Sequence, residues 1–266
     1  MNITTIASGS TGNCIYVGSG DTHILIDAGI SKKRIEEGLM NSVGISLKDI
    51  SAILITHEHI DHTNGLGVVL RKYDIPVYAT QETVQEILTI GSLGKMQSEH
   101  FNTIRPDEFF HVDDLRIKPF MISHDAANPV AFRLEDKDRT LAVLTDLGRY
   151  DDYIMENIAG ADAILLEANH DVNMVQTGSY PYYLKQRILS DKGHLSNENA
   201  GKLLSGFLHD KVRHIVLGHL SRENNYDMLA YETVRTEIMS ADNEYKADDF
   251  PIHIAKYNCV SELIEF

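Results

Sequence analysis

The sequence predicts an α/β protein in which two packed, mixed β-sheets are flanked by helices. Short apolar runs such as "AILLEA" and "HIVLG" alternate with segments of helical periodicity, a pattern that favours sheets covered by helices. The N-terminal part is instead a succession of extended segments broken by turn residues. A hydrophobic content of 43% over 266 residues is ample for a large buried core.

In order, "NITTIA", "NCIYVG" and "THILIDAG" read as strands punctuated by "SGSTGN" and "GSGD", giving a hairpin-rich sheet edge. "SKKRIEEGLMNSV" follows as a helix with Ser31 at its N-cap, then "ISAILIT" as a strand. Further strands are expected at "IPVYA", "DLRIKPFMI", "PVAFRLE", "TLAVLTD", "ADAILLEA", "RHIVLG" and "FPIHIAK". Helices are expected near residues 64–72, 80–91, 150–158, 181–190, 197–208 and 226–240. With no repeat, low-complexity tract or linker, residues 1–266 are expected to form a single domain.

The formal charge of −15 argues against a broad basic face for nucleic acid, so an anionic substrate must be caught locally. No apolar run approaches the roughly 18 residues that span a bilayer, and "MNITTIASGS" lacks a signal-peptide pattern. The expectation is a cytoplasmic protein with no membrane partner. Cys14 and Cys259 have no metal or disulfide spacing and are expected to be small core or strand residues.

Thirteen histidines stand out, and the informative ones follow apolar runs. In "THEHIDH", His57, His59, Asp61 and His62 fall at i, i+2, i+4 and i+5. On an extended backbone residues i and i+2 share a face, so two imidazoles can converge on one ion, while a turn lets Asp61 and His62 face a second. Imidazole nitrogen with carboxylate oxygen suits zinc or manganese. A solvated polar loop is the competing reading, and four donors within six residues at a strand mouth weigh against it. Asp27, His124, Asp146 and His219 also end apolar runs. Taken alone, His124 and Asp146 fit a hydrogen-bonded strand end better than a ligand, and only their shared order with the motif reverses that.

"GHLS" occurs twice, around His194 and around His219. His219 ends a strand, whereas His194 lies in a loop before a helix that Ser196 or Asn197 can cap. His194 is therefore expected above the substrate, binding a phosphate oxygen or giving a proton to the leaving oxygen. A hydrogen bond to a neighbouring carbonyl is the alternative. His170 in "EANHD" is a second substrate-binding candidate. Lys185, Arg187, Lys192 and Arg222 are candidate cations for a nucleic-acid strand, or solvated surface charges. Tyr180, Tyr182 and Tyr183 suit base stacking or core packing alike. "SGSTGN" lacks the Gly-Lys-Ser/Thr of a P-loop, and its tight turn is expected to bring Asn13 near the rim as a substrate contact.

"HxHxDH" after a strand, followed in order by His124, Asp146 and His219 and preceded by Asp27, resembles the metallo-β-lactamase superfamily. The resemblance implies an αββα four-layer sandwich with a dinuclear centre. His57, His59 and His124 would hold one ion, Asp61, His62 and His219 the other, and Asp146 would bridge them. Asp27 would stand behind the ligands as an orienting carboxylate. Asp61, Asp146 and His194 are the catalytic candidates, and the cofactors two divalent ions, zinc or manganese with iron as a further option.

"SGSTGN", "THEHIDHTNGLG", the run from "EANHD" to "GHLSNENAG", and "GHLSRENN" are similar to the YycJ/WalJ (VicX) family of bacterial metallo-hydrolases. That similarity implies metal-assisted phosphodiester hydrolysis, specifically 5′ to 3′ exonucleolytic digestion of DNA, a role in mismatch repair, and a genomic association with an essential cell-wall two-component system. Two alternatives differ in class. One is a metallo-hydrolase of a small ester, thioester, lactone, β-lactam or cyclic nucleotide. The other is a non-enzymatic, metal-stabilised regulator in cell-wall two-component signalling, against which an intact ligand set counts.

Overall fold

The computed structural model describes residues 1–266, which form two compact units. The chain passes from one to the other at several points, so no linker marks their limits. The first unit comprises Met1–Met121, Ala126–Asp138 and Lys256–Glu265; the second comprises Ile122–Asp125, Arg139–Ala255 and Phe266.

In the first unit, β1 (Asn2–Ala7), β2 (Cys14–Ser19) and β3 (Thr22–Ile26) pair antiparallel, as their β-branched composition and intervening turns predict. Ser31 caps α1 (Lys32–Ser42) and accepts from the Arg34 N–H. The helix buries Ile35, Gly38 and Leu39, the spacing of one helical face. A Cβ on Gly38 would lie 2.3 Å from Ile6 Cγ2, so the glycine lets α1 settle on β1. β4 (Ala52–Leu54) joins β3 in parallel.

Two short helices, α2 (Ile60–Thr63) and α3 (Leu66–Leu70), lead to β5 (Val77–Thr80), α4 (Gln81–Thr89) and β6 (Phe101–Ile104). The short strand Ile264–Glu265 closes the other edge, giving a seven-stranded sheet in the order Ile264–Glu265, β1, β2, β3, β4, β5, β6. Ile35, Leu39, Leu66, Val69, Val84 and Ile87 pack with Ile6, Tyr16, Leu25, Ile53 and Val77 in one apolar core. The unit also holds an antiparallel meander of β7 (Phe110–Val112), β8 (Leu115–Met121) and β9 (Val130–Glu135).

The second unit carries four parallel strands, β10 (Thr140–Leu144), β11 (Ala163–Glu167), β12 (His214–Gly218) and β13 (Ile252–Ile254). The near-continuous apolar runs of β10, β11 and β12 are those of strands buried on both faces, whereas β13 at the edge is half-buried. The connecting helices are α5 (Asp152–Ile158), α6 (Val172–Thr177), α7 (Tyr182–Ile188), α8 (Asn197–Phe207) and α9 (Asp227–Ser240). Ser196 caps α8 by accepting from Asn199 N, as one of the two expected caps. No helix is long and apolar enough to cross a membrane.

Several local expectations are corrected. The strand expected across "ISAILIT" is paired only over Ala52–Leu54, and the helix expected near 64–72 is split and starts at Ile60. Asp61 and His62 thus lie on a helical turn. α6, β6 and β7 escape the pattern because each is short and largely exposed: α6 buries Val175 alone, and β6 buries only Ile104. Cys14 is buried at the start of β2 as expected, but Cys259 is exposed.

The segment after β3 laces the motif together by main-chain bonds. Asn13 N donates to Asp61 O at 2.7 Å, Ala28 N to His62 O at 2.8 Å, Gly29 N to Asn13 O at 2.8 Å, and Gly65 N to Ala28 O at 2.8 Å. A Cβ on Gly29 would stand 1.6 Å from Asp61 O, and no rotamer relieves a clash with backbone. Gly29→Ala is accordingly expected to unfold the first unit or destabilise it by about 3 kcal/mol or more in urea denaturation. Gly20→Ala, at φ +56° with nothing within 4 Å, is expected to cost only about 1 kcal/mol.

Candidate metal centre

In the first unit, Asp27 is the buried anchor of the motif. It follows β3 in the left-handed region at φ 63°, which turns the chain sharply at the strand end. Its carboxylate accepts from Thr56 N at 2.9 Å, from Thr56 Oγ1 at 2.9 and 3.1 Å, and from His62 Nδ1 at 2.7 Å. Burial pushes the Asp27 carboxyl upward, against the pull of His62 and Thr56. With its hydroxyl proton given to Asp27, Thr56 Oγ1 accepts from His57 Nδ1 at 3.0 Å. One carboxylate and one hydroxyl thus fix the Nδ1–H tautomer of two histidines and leave each Nε2 unprotonated.

The His57 ring lies 4.6 Å from that of His59 and 4.1 Å from that of His62, centroid to centroid. Asp61 Oδ2 comes within 3.5 Å of His62 Nε2. Asn13, expected to face substrate, is instead buried: its Nδ2 lies 3.0 Å from His62 Nε2, and its Oδ1 accepts from Gly9 N at 2.9 Å. The meander is tied to the same loop, since Val130 N donates to Thr56 O at 3.0 Å and Ala127 N to Glu58 Oε1 at 2.8 Å.

In the second unit the organising residue is Glu167, the last residue of β11, which sequence reasoning missed. One carboxylate oxygen accepts from His194 Nδ1 at 2.7 Å and His219 Nδ1 at 2.8 Å; the other accepts from Leu147 N at 2.7 Å and Leu195 N at 3.2 Å. Asp146 and His219 both adopt positive φ, 57° and 54°, after β10 and β12. Asp146 Oδ1 lies 3.5 Å from Nδ1 of His194 and of His219, and 3.7 Å from His124 Nε2. Asp146, Glu167, His194 and His219 each offer a ligand atom within 4.8 Å of the others. His124 Nδ1 bonds to Gly193 O at 3.1 Å, which turns its Nε2 toward Asp146.

Charge follows from this geometry. Burial opposes ionisation of Glu167, yet His194 and His219 together hold it well below the usual carboxylate range. Burial likewise opposes a charge on His194, but the Glu167 carboxylate and its hydrogen bond, with Asp146, raise it above an ordinary histidine. Burial lowers His124, against the pull of Asp146. The His194 side chain keeps 19% of its exposure while that of His219 keeps 1%, so of the two "GHLS" histidines His194 is the one open to an incoming molecule.

The other candidates sit apart from these roles. His170 is 1% exposed and is held down to about 4 by burial, so it presents neither surface nor charge to substrate. Its carbonyl accepts from Asn197 N at 2.9 Å, which secures the start of α8. Arg187 grips Asp125 through two bonds of 2.5 and 3.1 Å, and Lys185 Nζ donates to Gln176 O at 2.8 Å. Buried amides support the rim: Asn169 Nδ2 donates to His219 O at 2.8 Å, and Asn197 and Asn225 bond reciprocally at 3.0 and 2.8 Å.

Imidazole nitrogens held in one tautomer beside carboxylate oxygens form a donor set that fits a divalent ion. The profile described as "Beta-lactamase superfamily domain" matches residues 22–220, and the chain is a member of that superfamily of metal-dependent hydrolases. Zn(2+)-bound PqqB from Methylobacterium extorquens shares the fold, two mixed sheets flanked by helices, at a TM-score of 0.71 and 16% identity over 100% of both chains. Exodeoxyribonuclease YycJ of Bacillus anthracis is 40% identical over 95% of this chain and 94% of its own length. Exodeoxyribonuclease WalJ of Streptococcus pneumoniae is 40% identical over 89% and 88% respectively. The chain belongs to the YycJ/WalJ family.

Glu167→Gln tests the tautomer lock. Each carboxylate oxygen accepts two N–H groups, so an amide NH2 on either side meets donors, and no rotamer satisfies all four. The variant is expected to lose about 2–4 kcal/mol in urea denaturation. In the first unit, Asp27→Ala is expected to weaken metal affinity roughly 10–100-fold in a competitive chelator titration.

Proposed function

We propose that this chain is a dinuclear, metal-dependent phosphodiester hydrolase that digests DNA exonucleolytically from the 5′ end. The observation that carries the reading is 40% identity, along nearly the whole chain, to an exodeoxyribonuclease, in a protein whose motif histidines are locked for metal binding. By the order of the superfamily motifs, His57, His59 and His124 would hold one ion and Asp61, His62 and His219 the other, with Asp146 as the remaining carboxylate of the set. Zinc or manganese suits this set, and zinc is the ion of PqqB. When bound, two such ions lower the pKa of water and neutralise charge on a phosphoryl group.

The chain's own groups supply the rest. Asp27 and Thr56 keep His57 and His62 turned with Nε2 outward, and Glu167 does the same for His219. His194, partly open and raised above an ordinary histidine by Glu167 against the cost of burial, gives its Nε2 proton to the leaving oxygen. Asp61 and Asp146 add negative charge that favours cations over protons at the rim. In an acidic protein, a confined positive centre attracts phosphate without a basic surface.

End-labelled single- and double-stranded DNA incubated with protein reconstituted with zinc or manganese tests the proposal. Metal-dependent release of nucleotides from the 5′ end, abolished by chelator and by Asp146→Ala, is expected. His194→Ala is expected to retain its full metal content while kcat falls by roughly 10²–10⁴-fold. Absence of metal-dependent phosphodiester cleavage would refute the nuclease reading, and loss of a metal equivalent in the His194 variant would refute its role as proton donor.

A further inference from the structure

We propose that Tyr182 and Tyr183, at the start of α7, form a stacking platform for the bases of the nucleic-acid strand beside the cleaved phosphodiester. The inference deepens the nuclease reading and rests on it. These two side chains are 77% and 74% exposed, the highest among the large hydrophobic residues of the chain. α7 has seven residues and buries only Ile188, so the core does not account for adjacent aromatic rings held in water.

A helix this short does not persist alone, and this one is fastened on several sides. Lys185 Nζ bonds to Gln176 O at 2.8 Å, and Arg187 pairs with Asp125, the neighbour of His124. His194 N donates to Ile188 O at 3.1 Å. At Gly193 a Cβ would stand 2.2 Å from Ile188 O and 2.3 Å from Arg187 O, so the turn from α7 to His194 admits only glycine. The backbone of α7 is thereby fixed relative to the proposed proton donor.

Tyr183 and Arg187 are four residues apart and share a helix face. That face meets Asp125, the residue after His124, through the guanidinium one turn further along α7. The local charge leans positive: Lys185, Arg187 and Lys192 stand against Asp191 and the Asp125 that Arg187 pairs with, in a chain of net charge −15. Exposed rings beside cations recognise a strand by the π-face that every base carries, without reading sequence.

The test compares a single-stranded oligonucleotide with methyl p-nitrophenyl phosphate, a phosphodiester that has no base, using metal-reconstituted protein. Tyr182→Ala/Tyr183→Ala is expected to raise KM for the oligonucleotide on the order of tenfold to a hundredfold. Turnover of the small diester and kcat should stay at wild-type values, and Tyr182→Phe/Tyr183→Phe should restore the oligonucleotide KM. An unchanged KM in the alanine variant overturns the platform alone, as does a parallel loss on both substrates, which marks a structural role. Hydrolysis of the small diester by wild-type protein that leaves every oligonucleotide intact overturns the nuclease reading and the platform together.

Discussion

A buried carboxylate that accepts four N–H groups is the constraint on which the second unit depends. Glu167 gathers the end of β10 through Leu147, the His194 loop through Leu195 and His194, and the end of β12 through His219. Isolated burial of such a charge is costly, and here every lone-pair direction is used. Because an ionised carboxylate only accepts, both imidazoles must carry their proton on Nδ1. The same contact therefore settles position, tautomer and charge. It leaves Nε2 of His219 without the ring proton and His194 as the more exposed of the pair.

The first unit solves the same problem with different residues. Asp27 and Thr56 orient His57 and His62, and the main chain around Gly29 clamps α2 from below. Three site residues, Asp27, Asp146 and His219, adopt left-handed backbone, which costs about 1–3 kcal/mol each for residues with a Cβ. Each ends a strand of buried apolar residues that the core holds rigidly, so packing offsets the strain and the side chain is delivered at the rim. Strain concentrated at a rim, with rigid strands beneath, is the arrangement expected where precise placement matters more than local stability.

Much of the site was legible because its residues share a grammar: an apolar run, then a polar residue at the strand end. "LIDAG", "LTDLG" and "VLGHLS" follow it, and the density of donors in "THEHIDH" removed the ambiguity. Glu167 ends "AILLE" in the same way, yet His170 three residues on carries the stronger sequence signal, because a histidine suits ligand and proton-transfer roles that a strand-end glutamate does not announce. Nothing local distinguishes the two. Only the fold reveals that His170 is sealed and that Glu167 meets residues from 147 to 219 in sequence. The helical turn at Ile60 was hidden for a similar reason, since ligand spacing alone suits an extended chain and a tight turn equally. Elements with few buried residues, such as α6 and β6, left no periodic signal.

The claim that Glu167 sets both histidine tautomers is tested most directly by long-range ¹H–¹⁵N correlation spectra of the imidazoles, recorded on the metal-free protein near neutral pH. The account predicts a proton on Nδ1 of both His194 and His219, each shifted strongly downfield by its short bond to a carboxylate, and both signals lost in Glu167→Gln. A neutral Nε2–H tautomer at either residue, with Nδ1 unprotonated, would contradict it.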